Sequence, residues 1–139
     1  MRCQLQLANL RLTKNVNLND VTYETYDTIS EYSRKKYFPT VEDHTNIITS
    51  NSIILSEIVF TVGMVFVTSI GNEDLPSFGQ IEEIFVKEKS VFFLIKPFVS
   101  ISFNEHYFAY NVKSLNNLLL VSADKLPNAS TLIVTKNVL

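Results

Sequence analysis

Three consecutive runs of β-branched and aromatic residues between positions 58 and 102 constrain the fold more than any other feature of this chain. The runs cover residues 62–70, 78–86 and 91–96, and each is followed by a turn signal containing Gly, Pro or charged residues. Val, Ile and Phe suit the pleated, half-buried surface of a sheet. The sequence therefore predicts three consecutive antiparallel strands that form a meander.

The middle run contains a break in the alternation of inward and outward residues. Ile81 and Ile84 lie three positions apart, which places them on opposite faces of a regular strand. A β-bulge at Glu82-Glu83 would return both to one face and bend the strand, as small barrels require. A helix over residues 78–86 also fits this spacing, but the nearby proline and glycine favour the bulged strand.

Strand-like patterns also precede and follow the meander. The predicted flanking strands cover residues 3–12, 21–29, 47–55, 106–112, 118–122 and 131–135. The first, which also fits a short helix, is expected to contain a bulge or a break near Ala8-Asn9 because its leucine pairs are out of phase. Residues 31–46 predict a loop containing one helical turn or none, and residues 100–105 predict a connection. The whole pattern indicates an all-β fold.

Length and composition indicate one domain with a substantial core. The chain has 139 residues, 46% of them hydrophobic and 12% aromatic, which excludes a disordered protein. We expect a single domain over residues 1–139, with a barrel over about 47–136 and additional strands over about 1–46. The core residues that we predict are Phe66, Ile81, Phe93 and Leu94, the last two on opposite faces of their strand.

Charge and cysteine content narrow the classes of function. A formal net charge of −2 disfavours a dedicated nucleic-acid binder, which needs clustered positive charge. Cys3 is the only cysteine, so no intramolecular disulfide can form. This usage suits an intracellular compartment, either nucleus or cytoplasm. The most apolar stretch, residues 53–70, contains Glu57 and lies within a strand pattern, so we expect no membrane partner.

Residue types that carry catalysis or bind metals are sparse. His44, His106 and one cysteine do not supply the three or four ligands that a zinc site needs. Three glycines cannot build a phosphate-binding loop, and no nucleophile motif is present. His106 beside Glu105 could act in acid–base catalysis, but a structural histidine at the start of a strand is the simpler interpretation. We therefore expect no enzyme activity, no metal and no cofactor.

Four segments occur in an order that resembles a known arrangement. They are residues 62–64 (VGM), 75–84 (LPSFGQIEEI), 91–94 (VFFL) and 104–112 (NEHYFAYNV). Together they resemble the β-barrel region near the C-terminus of uncharacterised, transposon-derived proteins of fishes and invertebrates. The resemblance covers most of residues 30–135, and its motifs are structural rather than catalytic.

The resemblance implies a small SH3-like barrel, similar by fold analogy to Tudor and bromo-adjacent homology domains. Relatives often have two histidines in the last of these segments, where this chain has His106 and Phe108. A metal or acid–base role for that pair is therefore not expected here. The implied function is an interaction module within transposon-derived machinery.

Aromatic residues near loop ends are the best candidates for a binding site in such a barrel. Rings there can hold a cationic or methylated peptide, which neighbouring carboxylates would attract. The predicted peptide-binding residues are Glu73, Asp74, Phe78, Tyr107 and Tyr110, and Tyr32 and Tyr37 are further aromatic candidates. The competing interpretation is that most of the aromatic side chains fill the interior.

The one basic cluster offers an alternative function. Arg34, Lys35 and Lys36 could contact phosphates while Tyr37 or Phe38 stacks on a base, which would make the chain a nucleic-acid-binding accessory domain that uses the loop over residues 34–38. Solvated loop charge is the simpler interpretation of three adjacent basic residues. We therefore expect a non-enzymatic module that binds a protein or peptide, with nucleic-acid binding as the alternative.

Overall fold

The computed structural model describes the backbone of residues 2–11, 21–70, 75–125 and 131–138, and the side chains of residues 21–68 and 75–125. The regular elements of these residues are strands apart from one α-helix and one short 3-10 helix, and turns and loops connect them. The strands are β1 (Arg2–Arg11), β2 (Val21–Thr22), β3 (Asp27–Thr28), β4 (Ile47–Ser50), β5 (Ser52–Leu55), β6 (Ile58–Thr61), β7 (Val65–Ile70), β8 (Pro76–Lys87), β9 (Ser90–Asn104), β10 (Ala109–Ser114), β11 (Leu119–Ser122) and β12 (Thr131–Val138). The α-helix, α1, covers Glu31–Tyr37, and the 3-10 helix covers Ala123–Lys125. The predicted all-β class is confirmed.

The strands form two antiparallel sheets. The larger has the order β11-β9-β10-β1-β12-β7-β8-β4-β3, and the smaller has the order β2-β5-β6. β7, β8 and β9 are consecutive antiparallel neighbours, so the predicted meander is confirmed. Because β8 also pairs with β9, the pairings β7–β8–β9–β10–β1–β12–β7 form a continuous cycle of six strands.

The β8–β9 hairpin is the element that both parts of the large sheet share. On the edge that does not face β9, β8 pairs with β7 through residues 76–80 and with β4 through residues 84–87. β9 pairs with β11 through residues 92–95 and with β10 through residues 98–104. Both strands therefore change neighbours near their middle.

The predicted bulge in β8 lies at this change of neighbours. Ile81 pairs with Ile95 and Glu83 pairs with Leu94, so exposed Glu82 is the extra residue. The bulge brings Ile81 and Ile84 into the same buried cluster. This part of the prediction is confirmed, and it excludes the alternative helix.

Pro97 lies inside β9, which corrects both the predicted strand end at residue 96 and the predicted connection over residues 100–105. Its carbonyl accepts a hydrogen bond from the backbone N–H of Leu115 at 2.9 Å. The N–H and C=O of a strand residue point to the same side. The backbone N–H that proline lacks would therefore point to the side of β9 that pairs with β11 before this residue and with β10 after it. Proline is tolerated in a strand at such a gap between two pairings.

Other predicted strands are divided or displaced. The run over 62–70 begins as a strand only at Val65, after a turn in which Gly63 has a φ of +96°. Residues 21–29 contain only the two-residue strands β2 and β3, which belong to different sheets. The strand predicted to begin at His106 begins at Ala109. The predicted bulge in the first strand is confirmed, because its pairing with β12 shifts between Leu7 and Asn9.

The predicted loop over residues 31–46 begins with α1. The hydroxyl of Ser30 accepts a hydrogen bond from the backbone N–H of Ser33 at 3.1 Å, which caps the first turn. Glu31 in the first turn and basic residues in the last turn complement the helix dipole. The capping serine is the local signal for this helix.

Buried side chains cover both faces of the β8–β9 hairpin. The main core includes Phe66, Ile81 and Phe93, together with residues of β5 and β6. On the opposite face, Leu94 belongs to a second buried cluster, which lies beneath α1. Further along that face, the cycle core contains Val65, Val67, Phe78, Phe98 and Val112. The predicted core residues are all buried, with Phe93 and Leu94 on opposite faces as expected.

Candidate interaction site

The end of the β9–β10 hairpin extends beyond the pairing of β9 with β8. That pairing reaches Val99, whereas β9 pairs with β10 as far as Asn104 opposite Ala109. Within the described residues, the last part of β9, residues 101–104, has β10 as its only strand neighbour. Residues 105–108 form the turn that joins the two strands.

Four large apolar side chains are exposed at this hairpin end. We call them the tip patch: Ile101 is 47% exposed, Phe103 43%, Tyr107 57% and Phe108 76%. Single exposed apolar residues are common, but several grouped on one projecting element mark interaction sites. The tip patch is therefore the candidate site.

The turn that carries two of the tip-patch residues, Tyr107 and Phe108, has a defined backbone conformation. The side-chain oxygen of Asn104 accepts hydrogen bonds from the backbone N–H groups of His106 at 3.0 Å and Tyr107 at 3.3 Å. Phe108 has a φ of 49°, in the left-handed region that costs an L-residue about 1 kcal/mol. Strain at an exposed aromatic residue is typical of functional positions.

A row of aromatic rings connects the tip patch to the buried core. The ring centroids of Phe103 and Tyr110 are 5.0 Å apart, and those of Tyr110 and Phe78 are 5.7 Å apart. Phe78 is fully buried. It lies on β8 and Tyr110 lies on β10, so the contact between the two rings crosses β9, the strand between them. The row holds the base of the hairpin end against the cycle core, so part of the exposed surface rests on a packed support.

The structure brings some of the predicted peptide-binding residues together. Tyr110 lies against Phe78, and Tyr107 is exposed in the turn three residues before Tyr110. Phe78 supports Tyr110 from the core and offers no exposed surface of its own. Glu73 and Asp74 lie outside the described residues.

Sequence reasoning missed the other members of the tip patch, Ile101, Phe103 and Phe108. The first two lie in a stretch for which the sequence predicts a connection, because Pro97 favours the end of a strand. The useful signal is the alternation of Ser100 and Ser102 with the larger side chains of Val99, Ile101 and Phe103, which continues the strand beyond the proline.

The basic cluster of the alternative function is engaged within its own segment. The guanidinium of Arg34 donates to the backbone carbonyl of Glu42 at 3.3 Å and to that of Thr45. Lys35 forms an exposed ion pair with Glu31 at 3.2 Å. Arg34 therefore holds the loop that follows α1.

Lys36 is held by two tyrosine side chains. Its ammonium group donates to the Tyr32 hydroxyl at 3.3 Å and lies 5.5 Å from the ring centroid of Tyr32 and 5.6 Å from that of Tyr37. The hydrogen bond to Tyr32 is the main cause that raises the pKa of Lys36. Tyr37 is half-buried and packs against Phe85 at 6.1 Å. These contacts do not favour the stacking of Tyr37 on a nucleic-acid base.

The histidines lie apart from each other on exposed segments. His106 is in the turn, where its ring packs edge-on against Tyr107 at 4.7 Å, and His44 pairs with Glu42 at 3.0 Å. No group of three His, Cys, Asp or Glu side chains that could hold a metal ion is present among the described residues. The described part of the chain also contains no helix long and apolar enough to cross a membrane.

Comparison with protein-family models, with curated proteins and with solved structures gave no match to this chain. The geometry of its own residues is therefore the basis on which its function can be argued.

Proposed function

We propose that this domain is a non-enzymatic interaction module that binds a protein or peptide segment through the tip patch. The observation that carries the proposal is the exposure of four large apolar side chains within residues 101–108 of one hairpin. The resemblance described above favours a role inside the cell, within machinery derived from a transposon. Aromatic anchors on a rigid support are the residues that dominate binding in protein interfaces.

The proposed mode of binding is the addition of an extended segment along β9. Residues 101–104 are paired with β10 on one side, and the partner segment would pair with their backbone groups on the other. Alternate side chains of that segment would meet Ile101 and Phe103. The turn residues Tyr107 and Phe108 would cover its end.

We also propose that the six strands of the pairing cycle form a small SH3-like barrel. Register shifts in the pairings of β1, β7, β8 and β9 support this proposal, because bulges bend strands as a small barrel requires. The contact between Phe78 and Tyr110 across β9 indicates that this face is concave. The cycle core would then be the barrel interior.

The binding proposal is tested with a displayed library of random peptides. The library is panned on the wild-type domain alone, and the affinities of the enriched peptides for the wild type and for the double variant Phe103→Ser/Phe108→Ser are measured by titration calorimetry. We expect the double variant to bind these peptides at least about tenfold more weakly, because an aromatic anchor contributes about 2 kcal/mol or more.

The matched control is Leu119→Ser, which removes another half-exposed apolar side chain on β11. This variant should bind the selected peptides as the wild type does. Enriched peptides that bind both variants equally well, or a library that yields none, would overturn the proposal. Light scattering on the purified domain shows whether a second copy of the chain occupies the patch instead, which would also contradict a peptide partner.

A further inference from the structure

The segment that joins β2 to β3 crosses from the small sheet to the large one. β2 pairs with β5, and β3 pairs with β4, so residues 23–26 bridge the two sheets. The backbone carbonyl of Thr25 accepts a hydrogen bond of 2.6 Å from the hydroxyl of Ser50, which is buried. The crossing is therefore anchored at a buried point while its own side chains remain exposed.

A cavity lies on each side of this crossing. The larger has a volume of about 380 Å³ and includes Tyr23 and Glu24 opposite Ile54 and Val59. The smaller has a volume of about 210 Å³ and includes Tyr26, Asp27 and Asn51, and Thr25 lines both. A few hundred cubic ångströms is the size of sites that bind small molecules or single side chains.

The charge around the two cavities has one sign. Glu24 lines the larger cavity and Asp27 the smaller, and no Lys, Arg or His is among the residues that line either of them. Among the described residues, neither carboxylate takes part in an ion pair. Both carboxylates face solvent. No basic side chain in the lining of either cavity balances the negative charge of the crossing.

Two exposed tyrosines are next to these carboxylates in the sequence, Tyr23 before Glu24 and Tyr26 before Asp27. The ring centroids of Tyr23 and Tyr26 are 5.3 Å apart, and the ring planes meet at 79°. The faces of aromatic rings carry negative electrostatic potential and attract cations. Perpendicular rings next to carboxylates favour a positively charged ligand over a neutral or anionic one.

We propose that this crossing binds an organic cation of the alkylammonium class. The positive head lies at the Tyr23–Tyr26 pair, close to Glu24 and Asp27. The alkyl portion contacts the apolar wall that Ile54 and Val59 provide. This site is separate from the tip patch and does not depend on the function proposed for it.

The test compares choline with its neutral isostere, in which carbon replaces the ammonium nitrogen. Binding is followed by chemical shifts of residues 22–27. We expect choline to bind at least about fivefold more tightly than the isostere, since a cation–π contact with a supporting charge has that magnitude. Tyr26→Ala and Glu24→Gln should each weaken choline binding by a similar factor, whereas Tyr26→Phe, which keeps the ring, should not.

Peptides carrying trimethyllysine or unmodified lysine separate the two sources of such a cation. A trimethyllysine peptide that binds more tightly than choline supports a protein ligand, and the reverse order supports a free small molecule. Tyr32→Ala, which removes an exposed tyrosine of α1, is the control and should leave binding unchanged. Equal binding of choline and its isostere, or no binding of choline and the peptides up to about 10 mM, would overturn the proposal.

Discussion

Phe108 combines two features that each lower the stability of a folded chain. Its φ of 49° is in the left-handed region, and its ring is 76% exposed to solvent. A glycine at this position would adopt the same backbone conformation without steric strain. The presence of phenylalanine is explained if the ring contacts a partner.

Replacing Phe108 with glycine should therefore separate stability from binding. We expect Phe108→Gly to raise the free energy of unfolding by about 1 kcal/mol, through relief of the left-handed strain. The same variant should lose affinity for peptides that select the tip patch. Urea denaturation and titration calorimetry measure the two effects. Reduced stability would instead show that the ring packs against the folded domain.

Glu57 provides the matched control for that experiment. Ser56 and Glu57, with φ of 50° and 68°, form the two-residue turn between β5 and β6, where a type I′ turn favours Asn-Gly. Glu57→Gly should gain stability for the same reason as Phe108→Gly. Since this turn is in the small sheet, peptide binding at the tip patch should not change.

Burial raises the pKa of Glu83, and the charge of neighbouring Glu82 raises it further. A raised pKa in the folded state means that protonation of Glu83 favours folding. This contribution is fully present below the unfolded-state pKa and is lost as the pH rises through the folded-state pKa. Glu83→Gln should therefore be more stable than the wild type at pH 7.

The advantage of Glu83→Gln should shrink as the pH falls towards the usual glutamate value of 4.5, because the wild-type carboxyl then becomes neutral as well. Urea denaturation of both proteins at neutral and acidic pH measures this difference. A stability advantage of Glu83→Gln that grows as the pH falls would contradict a raised pKa of Glu83.

The bulge at Glu82 sets the register of the central hairpin. Deletion of Glu82 would shift the rest of β8 by one residue and turn Ile84 and Val86 away from the main core. We expect the deletion to abolish cooperative unfolding, as measured by circular dichroism during urea denaturation. Glu82→Ala, which keeps the register, should stay within about 0.5 kcal/mol of the wild type. A deletion variant that folds normally would show that the register is set elsewhere.

β9 contains buried and exposed phenylalanines that can be compared directly. Phe93 is fully buried, with its ring centroid 5.1 Å from that of Phe60 and 5.9 Å from that of Phe66. Phe93→Ala should lower the free energy of unfolding by about 3–5 kcal/mol. Phe103→Ala on the same strand should cost much less, because its ring is 43% exposed. Equal losses in denaturation experiments would contradict the assignment of Phe103 to the tip patch.

Elements with strong local signals could be predicted from the sequence. The meander and its bulge follow from residue type and from the spacing of Ile81 and Ile84, which are properties of neighbouring residues. The continuation of β9 through Pro97 has only a weak local signal, the alternation of serines with larger residues after the proline. Proline is tolerated there because the neighbouring strand changes at that residue, and a local pattern does not report this change. The tip patch could not be predicted either, since alternating Phe residues look the same whether or not another strand covers them.

At the scale of the whole molecule, β12 completes the cycle of paired strands. It lies between β1 and β7, so removal of residues 131–139 would leave both strands with an unpaired edge. We expect the truncated protein to lose stability and to self-associate, as shown by light scattering after size-exclusion chromatography. A truncated protein that remains monomeric and equally stable would contradict the proposed barrel.

The shared β8–β9 hairpin also bears on the order in which the chain folds. Its strands are joined by a two-residue turn, so they can meet with little loss of chain entropy. The pairing of β1 with β12 joins segments from opposite ends of the chain and needs the longest loop to close. A chain that leaves the ribosome from its N-terminus must therefore keep β1 unpaired with β12 until residues 131–138 have been synthesised. During that interval β1 and β7 each have an edge that β12 has yet to cover, and such edges need protection from other chains.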